Sequence, residues 1–505
     1  MARVLAIDAG TTGVRAMAVD DSGSVVSRSY REFPQSFPRP GWVEHDPEHW
    51  WVALVAAATS AVRASGKEAS EFAAVGITNQ RETTVLWHRD TLKPVYPAIV
   101  WQDRRTAPLC DQLRTEGWEQ RIAERTGLVI DPYFSGTKLA WLLEHVPGAR
   151  SEAAAGKLAF GTVDSYVLAR LTGGAAHATD WTNASRTMLF DIDRLEWDDE
   201  ILDRLDIPHQ VLPAVLPSSG TFGLTDPDRF LGARLPISGI GGDQQAALFG
   251  QACFEPGATK NTYGTGSFVL MHTGDRPARS SAGLITTVAC SPDDLVAYAL
   301  EGSIFVTGAA IQWLRDGLGL IERSDEAGPL AGSVPDTGGV YFVPALTGLG
   351  APWWDPYARG TIVGITRGTT RAHLVRAAVE AMAYQTRDVV DAMRADSGIP
   401  LGELKADGGA SVMDVLLQFQ ADVLGVPVRR ARVQETTALG AAYLAGLGEG
   451  VWSDTSELAE HWKADREFLP RDRSGGEERY RSWRRAVDRA LRWQLEEIGA
   501  PATPS

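Results

Sequence analysis

Val4-Leu5-Ala6-Ile7-Asp8-Ala9-Gly10-Thr11-Thr12-Gly13 is the stretch on which the fold turns. Four apolar residues in a row read as a buried strand, and the small residues from Asp8 to Gly13 read as a tight turn. Val14 to Asp20 then alternates roughly as a second strand, so the chain opens as strand, turn, strand. A second start of the same kind comes midway. Asn261-Thr262-Tyr263-Gly264-Thr265-Gly266 sets a Gly-Thr turn beside the apolar run from Ser267 to Met271. The two starts match in type more than in identity, as two domains of related topology would. A boundary near 245–255 divides the chain into domains 1–250 and 251–505.

The length agrees, since 505 residues are too many for one hydrophobic core. Between the two starts a helix is expected from Asp46 as cap and Pro47 at the first position, filled by Trp50 to Val62. Strands are expected at 73–77, 83–87 and 235–240, the last running into Gly241-Gly242-Asp243. The charged tail from 475 to 497 carries Tyr480, Trp483, Val487, Leu491 and Trp493, which predicts a surface helix with one apolar stripe.

Composition excludes several classes. With 49 Lys+Arg against 64 Asp+Glu the net charge is −15, the wrong sign for a nucleic-acid binder. No stretch approaches the roughly 20 apolar residues of a membrane span, and the N-terminal apolar run is too short for a signal peptide. Cys110, Cys253 and Cys290 are far apart and form no metal spacing, which fits a cytoplasmic enzyme.

Three glycine-bearing segments, 8–15, 261–268 and Asp407-Gly408-Gly409-Ala410, end apolar strands. Glycine lets backbone N–H groups close on anionic oxygens, and Thr hydroxyls add donors. Each alone reads as an ordinary turn; three together read as a nucleotide site, although no Walker A sequence is present. Asp8 at a strand end and Asp243 after a Gly-Gly turn suit Mg²⁺ held through water, or removal of a proton from an attacking hydroxyl. Either alone is also a common turn residue. Arg81-Glu82 offers a fork of donors beside a pair of acceptors, which recognition of vicinal hydroxyls needs; the plainer reading is a surface ion pair. Trp101 in Trp101-Gln102-Asp103-Arg104-Arg105 could cover the C–H face of a polyol. Glu44-His45-Asp46 with Glu48-His49 has metal-ligand residue types, but helix entry explains it.

Taken together these segments resemble the FGGY family of carbohydrate kinases over almost the whole chain. The resemblance rests on Asp8–Thr12, Pro40–Pro47, Asn79–Thr84, Val100–Thr106, Tyr133–Lys138, Thr182–Thr187, Gly242–Ala247, Asn261–Gly266 and Ala351–Asp355. It implies an α/β, two-domain actin-like ATPase fold of ribonuclease-H-like halves with an interdomain cleft. The Arg81-Glu82 pair with the 101–105 segment resembles the members that phosphorylate glycerol. Glycerol would then be held by Arg81, Glu82, Tyr133, Asp243 and Gln244, with Trp101 and Phe268 as an apolar wall and Asp243 as general base. ATP phosphates would meet Thr11, Thr12, Gly13, Arg15 and Thr265, and the rest of the nucleotide Gly308, Gln312, Gly409 and Met413. Asp8 and Asp243 would hold Mg²⁺ through water. The resemblance leaves room for a homodimer or homotetramer.

The chain departs from the family at Ala9, where Gln is usual, at Gly13, where Ser is usual, and at Met413, which replaces a nucleotide-contacting Asn. Arg229 falls where some members carry a phosphorylated His, and Arg234 matches an effector-binding Arg without its glycine-rich loop. Two other readings compete with glycerol phosphorylation: an FGGY kinase for a longer polyol or sugar, and a nucleotide-binding regulator without transferase activity.

Overall fold

The computed structural model describes residues 2–292, 294–471 and 473–494. Two mixed sheets organise it, each begun by one of the two strand–turn–strand starts. In the first, β1 (Arg3–Ala9), β2 (Gly13–Asp20) and β3 (Val25–Glu32) form an antiparallel meander. Helix α1 (Pro47–Ser65) follows, with Asp46 capping the N–H of Glu48 and Gly66 ending it in a left-handed conformation. Strand β4 (Ala74–Asn79) runs parallel to β1, and β5 (Ser219–Leu224) and β6 (Pro236–Gly242) complete the order β5-β6-β4-β1-β2-β3. Helix α2 (Asp243–Gly250) starts directly at the end of β6.

The second sheet repeats the plan. Hairpin β7 (Thr259–Tyr263) and β8 (Ser267–Gly274) is followed by β9 (Ile285–Ala289), β10 (Ala297–Ile304) and helix α3 (Gly308–Asp316). Then come β11 (Leu404–Asp407), β12 (Val428–Ala431), helix α4 (Thr436–Gly448), β13 (Ala464–Phe468) and helix α5 (Arg473–Ala490). The order is β9-β10-β8-β7-β11-β12-β13. From each opening hairpin the pattern is the same: two antiparallel neighbours on one side (β2 and β3; β8 and β10), two parallel ones on the other (β4 and β6; β11 and β12). This is the α/β, ribonuclease-H-like, actin-like architecture expected above.

The halves are joined by exchanged helices. Helix α4 is apolar all round, the pattern of a helix buried on every side. Its Ala438, Ala441, Leu444 and Ala445 pack on Val4, Ala6, Met17 and Ala74 of the first sheet. In return Leu248 of α2 packs on Leu270, Ala289 and Ala299 of the second. Where α2 and α4 cross, a Cβ on Gly440 would lie 1.8 Å from the Ala246 carbonyl oxygen, and one on Gly250 would lie 2.1 Å from that of Thr436. Only glycine permits this approach.

Tail helix α5 buries Tyr480, Trp483 and Val487 of the expected stripe, with Tyr480 and Trp483 donating to Asp388 at 2.6 and 2.9 Å, whereas Trp493 lies past its end and is exposed. It ends at Ala490 rather than 497, and residues 495–497 of the expected helix lie outside the described residues. Among the described residues no helix is long and apolar enough to cross a membrane.

Gly440→Ala should destabilise the protein by about 2–3 kcal/mol, because the added methyl overpacks a fixed backbone crossing. Gly402→Ala, with open space around it and no positive φ, should stay within about 0.5 kcal/mol. Comparing the two denaturation midpoints checks this; equal midpoints would show that the crossing can relax.

Candidate active site

The first sheet delivers its polar residues at the carboxyl ends of its parallel strands, where ligands of open α/β sheets collect. Asp8 pairs across to Thr78, and Ala9 and Gly242 both flank Asn79. The chain leaves β4 into Gln80-Arg81-Glu82 and leaves β6 into Asp243. Gly242 is required here, since a Cβ would sit 2.8 Å from the Arg81 side chain.

Arg81, at 2% exposed, lies in a buried cluster of charges. Its Nη1 and Nη2 donate to the two carboxylate oxygens of Glu301 at 2.5 and 3.1 Å, and its Nε lies 3.0 Å from Asp243 Oδ1. Arg186 donates from Nε to Glu82 at 2.7 Å and from Nη2 to Glu301 at 3.1 Å. Glu82 adopts φ +60°, an uncommon conformation for a residue with a side chain and a local source of strain. Hydroxyls of Ser135 and Thr84 hold its carbonyl at 3.0 and 3.1 Å. The plain reading of Arg81-Glu82 as a surface ion pair is therefore set aside: both side chains are buried.

Asp243 is the more open carboxylate, its side chain 28% exposed. Oδ1 also accepts the backbone N–H of Gln244 at 2.7 Å, whereas Oδ2 has no hydrogen bond among the described residues. Burial raises its pKa, opposed by Arg81 and reinforced by Asp8. Burial likewise pushes Asp8 up to about 6 against the pull of Arg15, whose Nη1 lies 3.4 Å from Asp8 Oδ2. Two neighbouring carboxylates that both resist ionisation suit a divalent cation, which would relieve their repulsion. Among the described residues no cluster of three or more metal-ligating side chains occurs, so most of the cation's shell would be water and phosphate.

An aromatic wall flanks the cluster. Trp101 and Tyr133 meet edge to face at 5.6 Å, and Phe268 lies 5.9 Å from the Arg81 guanidinium carbon. Trp101 Nε1 donates to Thr11 Oγ1 at 3.0 Å, tying the wall to the first hairpin turn. Gln244 is buried, and Lys260 Nζ donates to its Oε1 and, at 3.0 Å, to Thr262 Oγ1. Burial lowers the Lys260 pKa to about 8.

A cavity of about 840 Å³ opens beside the second hairpin. Thr265, Gly308, Gln312, Gly409 and Met413 all line it. Close packing shapes it: a Cβ on Gly308 would come within 2.5 Å of the Gly264 carbonyl oxygen, and one on Gly408 within 2.5 Å of that of Tyr263. Met413 sits against Gly328 on its wall and gives the cavity an apolar surface there. Thr11, Thr12, Gly13 and Arg15 lie instead on the first hairpin and are not part of this cavity's lining.

Four residues of the site escaped the sequence reading: Arg186, Lys260, Glu301 and Tyr30. Glu301 and Lys260 carry one signal in the sequence, each being a charge inside a strand. Tyr30 explains Gly13. A Cβ on Gly13 would lie 2.6 Å from the Tyr30 hydroxyl, so the tyrosine fills the space a side chain would take and hydrogen-bonds Thr12 Oγ1 at 3.0 Å.

Comparison with known proteins agrees along nearly the whole chain. Residues 3–250 match the profile of the FGGY family of carbohydrate kinases, N-terminal domain, and residues 259–449 that of its C-terminal domain. Glycerol kinase 2 of Thermotoga maritima is 57% identical over 495 residues, covering 98% of this chain and 100% of that protein. Glycerol kinase of Symbiobacterium thermophilum is 58% identical over 494 residues, covering 98% and 99%. The crystal structure of Plasmodium falciparum glycerol kinase with ADP matches with a TM-score of 0.91 at 35% identity, covering 97% of this chain and 98% of that one. A ligand-bound xylulose kinase of Lactobacillus acidophilus reaches 0.85 at 22%, over 99% of each chain, a likeness of fold alone.

Glu301→Gln should cost about 3–5 kcal/mol of stability, because it leaves two buried guanidinium groups short of one counter-charge. The arginines hold the Glu301 pKa down to about 2 despite burial. Its folded pKa lies below the unfolded value, so its contribution is complete above about pH 4.5 and is lost as pH falls toward 2. Denaturant titrations of both proteins at pH 7 and pH 3 test this: the gap between them should shrink at pH 3.

Proposed function

The chain belongs to the FGGY family of carbohydrate kinases, and on that premise we propose that it transfers the γ-phosphoryl group of ATP to glycerol, giving sn-glycerol 3-phosphate and ADP. The observation that carries this reading is the free Oδ2 of Asp243, on a carboxylate whose other oxygen is pinned by Arg81 and the Gln244 N–H. Domain 1–250 supplies the polyol side and one phosphate loop; domain 251–505 supplies the nucleotide side. The enzyme is assigned to the cytoplasm.

In this reading Arg81, Glu82, Tyr133, Asp243 and Gln244 bind the hydroxyls of glycerol, and Trp101 and Phe268 cover its carbon face. Asp243 Oδ2 takes the proton of the terminal hydroxyl as its oxygen forms the new O–P bond, and the bond from γ-phosphorus to the β–γ bridging oxygen breaks. The bridging oxygen leaves with ADP. General-base help of this kind is worth about 10²–10⁴-fold. Thr11, Thr12, Gly13, Arg15 and Thr265 hold the phosphates, while Gly308, Gln312, Gly409 and Met413 hold the rest of the nucleotide. Asp8 and Asp243 would hold Mg²⁺ through water, and when bound the ion neutralises phosphate charge. Lys260, by donating to Gln244 Oε1, turns the amide N–H₂ of Gln244 outward as a donor. The aromatic wall and the closing of one domain on the other exclude water, which would otherwise accept the phosphoryl group.

The direct test is ADP release with Mg-ATP across glycerol, dihydroxyacetone, erythritol, xylitol, xylulose, gluconate and no acceptor. Glycerol should give release well above the blank. Release with a longer acceptor alone would overturn the substrate, and release with none would overturn the transferase. Asp243→Asn should bind glycerol and lower kcat by about 10²–10⁴-fold; near-normal kcat would remove Asp243 as the base. Because burial makes Asp243 protonate at higher pH than a free carboxylate, kcat/KM should begin to fall above the usual carboxylate range as pH drops. Asp8→Asn removes the neighbouring negative charge, so the acid limb that remains should move to lower pH.

A further inference from the structure

A second cavity, of about 520 Å³, lies between the domains where α2 and α4 meet. The first domain contributes the turn around Gly23, between β2 and β3, and the end of α2 at Gly250. The second contributes Arg432 just past β12, the segment of His461 and Lys463 before β13, and Tyr443 of α4. None of these residues belongs to the site already described, yet the cavity is joined to it. Asp243 begins α2 and Gly250 ends it, eight residues or about 12 Å of rigid helix.

Its lining is built for a polar guest. Tyr443 is 1% exposed, and its hydroxyl has no hydrogen-bond partner among the described residues. Tyr443 lines the cavity, so a guest there can take the hydrogen bond that this hydroxyl lacks. His461 Nε2 is likewise buried and unpartnered. Gly23 brings the two together, since a Cβ there would stand 3.0 Å from both the Tyr443 hydroxyl and the His461 Cβ. At the rim Arg432 and Lys463 are joined backbone to backbone at 3.0 Å, and neither side chain has an ion-pair partner among the described residues. One carboxylate, Glu460, shares the rim. Two cations against one carboxylate, above a tyrosine hydroxyl and a buried ring nitrogen that both lack a partner, describe a receptor for a small anion carrying hydroxyl or ester oxygens.

We propose that this cavity binds a small organic phosphate, with the phosphate on Arg432 and Lys463 and an oxygen of its carbon skeleton on Tyr443, and that its occupation alters domain closure. Walls from both domains give the ligand a different affinity for the open and closed forms, which is what coupling to the cleft requires. The coupling is read on the transferase activity proposed above, but the binding itself does not depend on it.

The test uses the full chain, saturated with glycerol and a non-hydrolysable ATP analogue so that the catalytic phosphate site is filled. Calorimetric titrations with 3-phosphoglycerate, inorganic phosphate and citrate separate phosphate ester, bare phosphate and polycarboxylate. We expect 3-phosphoglycerate to bind once per chain. Arg432→Glu/Lys463→Glu should weaken it at least tenfold, and Tyr443→Phe, which keeps the ring against Trp452, about three- to tenfold. Both variants should keep wild-type glycerol-dependent turnover when no effector is added, and turnover of the wild type alone should respond to 3-phosphoglycerate. No binding of any probe at millimolar concentration overturns the site, as does binding that both variants retain. Binding of citrate alone overturns the phosphate class. Binding that leaves turnover unchanged overturns the coupling. Failure of glycerol-dependent turnover in the untreated wild type would count against the proposed reaction and not against the cavity.

Discussion

Everything at the centre of this molecule depends on one carboxylate shared between two arginines. Glu301 sits on a strand of the second sheet, with no solvent exposure, and meets Arg81 and Arg186 from the first domain. Isolated charges do not survive such burial, and even a pair seldom gains from it; the energy only balances when every partner is present. Here Arg81, Arg186 and Lys260 stand against Glu82, Glu301 and Asp243, three charges of each sign. The cluster therefore fixes positions more than it adds stability. Arg81 cannot leave Asp243 without leaving Glu301, so the Asp243 carboxylate is oriented from the opposite domain.

That bond across the domains restricts how the cleft can move. Pulling the sheets apart at Glu301 would strand buried charge, whereas rolling them about it would not. The crossing of α2 and α4 sets the same limit from behind, because two backbones in contact at Gly440 and Ala246 can rotate far more easily than they can separate. Floor and crossing together leave the outer parts free to close: the first hairpin with Thr12 and Arg15, and the cavity walls around Gln312 and Met413. These are the parts that would reach the phosphates and the base of a nucleotide. The two strand–turn–strand units thus do more than repeat a fold. Each places a Gly-Thr turn at the mouth while the strand ends behind it supply carboxylates and cations.

The repeat was legible because it is written locally. Apolar runs bounded by Gly and Thr declare a buried strand and a tight turn without reference to anything distant, and the capped helix after Asp46 is equally self-contained. Asp8, Asp243 and the Arg81-Glu82 pair stood out because charges at strand ends are conspicuous. What could not be read was contact between residues far apart in sequence. Glu301 pairs with a residue 220 positions away, and its flanks Leu300 and Gly302 say only that a strand passes. The exchange of α2 and α4 was equally hidden, since the composition of an all-apolar helix states that it is buried and not where. Gly13 read as the loss of a polar side chain near phosphate; in three dimensions the Tyr30 hydroxyl occupies that space and meets Thr12.

The net charge of −15 gives these local arrangements their weight. An acidic protein repels ATP at a distance, so affinity has to come from groups within hydrogen-bond reach, where a low local dielectric strengthens them. Arg15 is only partly available, because Asp8 lies 3.4 Å from it and the Tyr30 ring stands 5.6 Å away. A cation bound at Asp8 would release that arginine by competing for the carboxylate, turning a self-satisfied pair into two phosphate ligands at once. In such a site a nucleotide and its cation would bring together the positive charge that the cleft's own groups do not supply, and would do so beside Asp243.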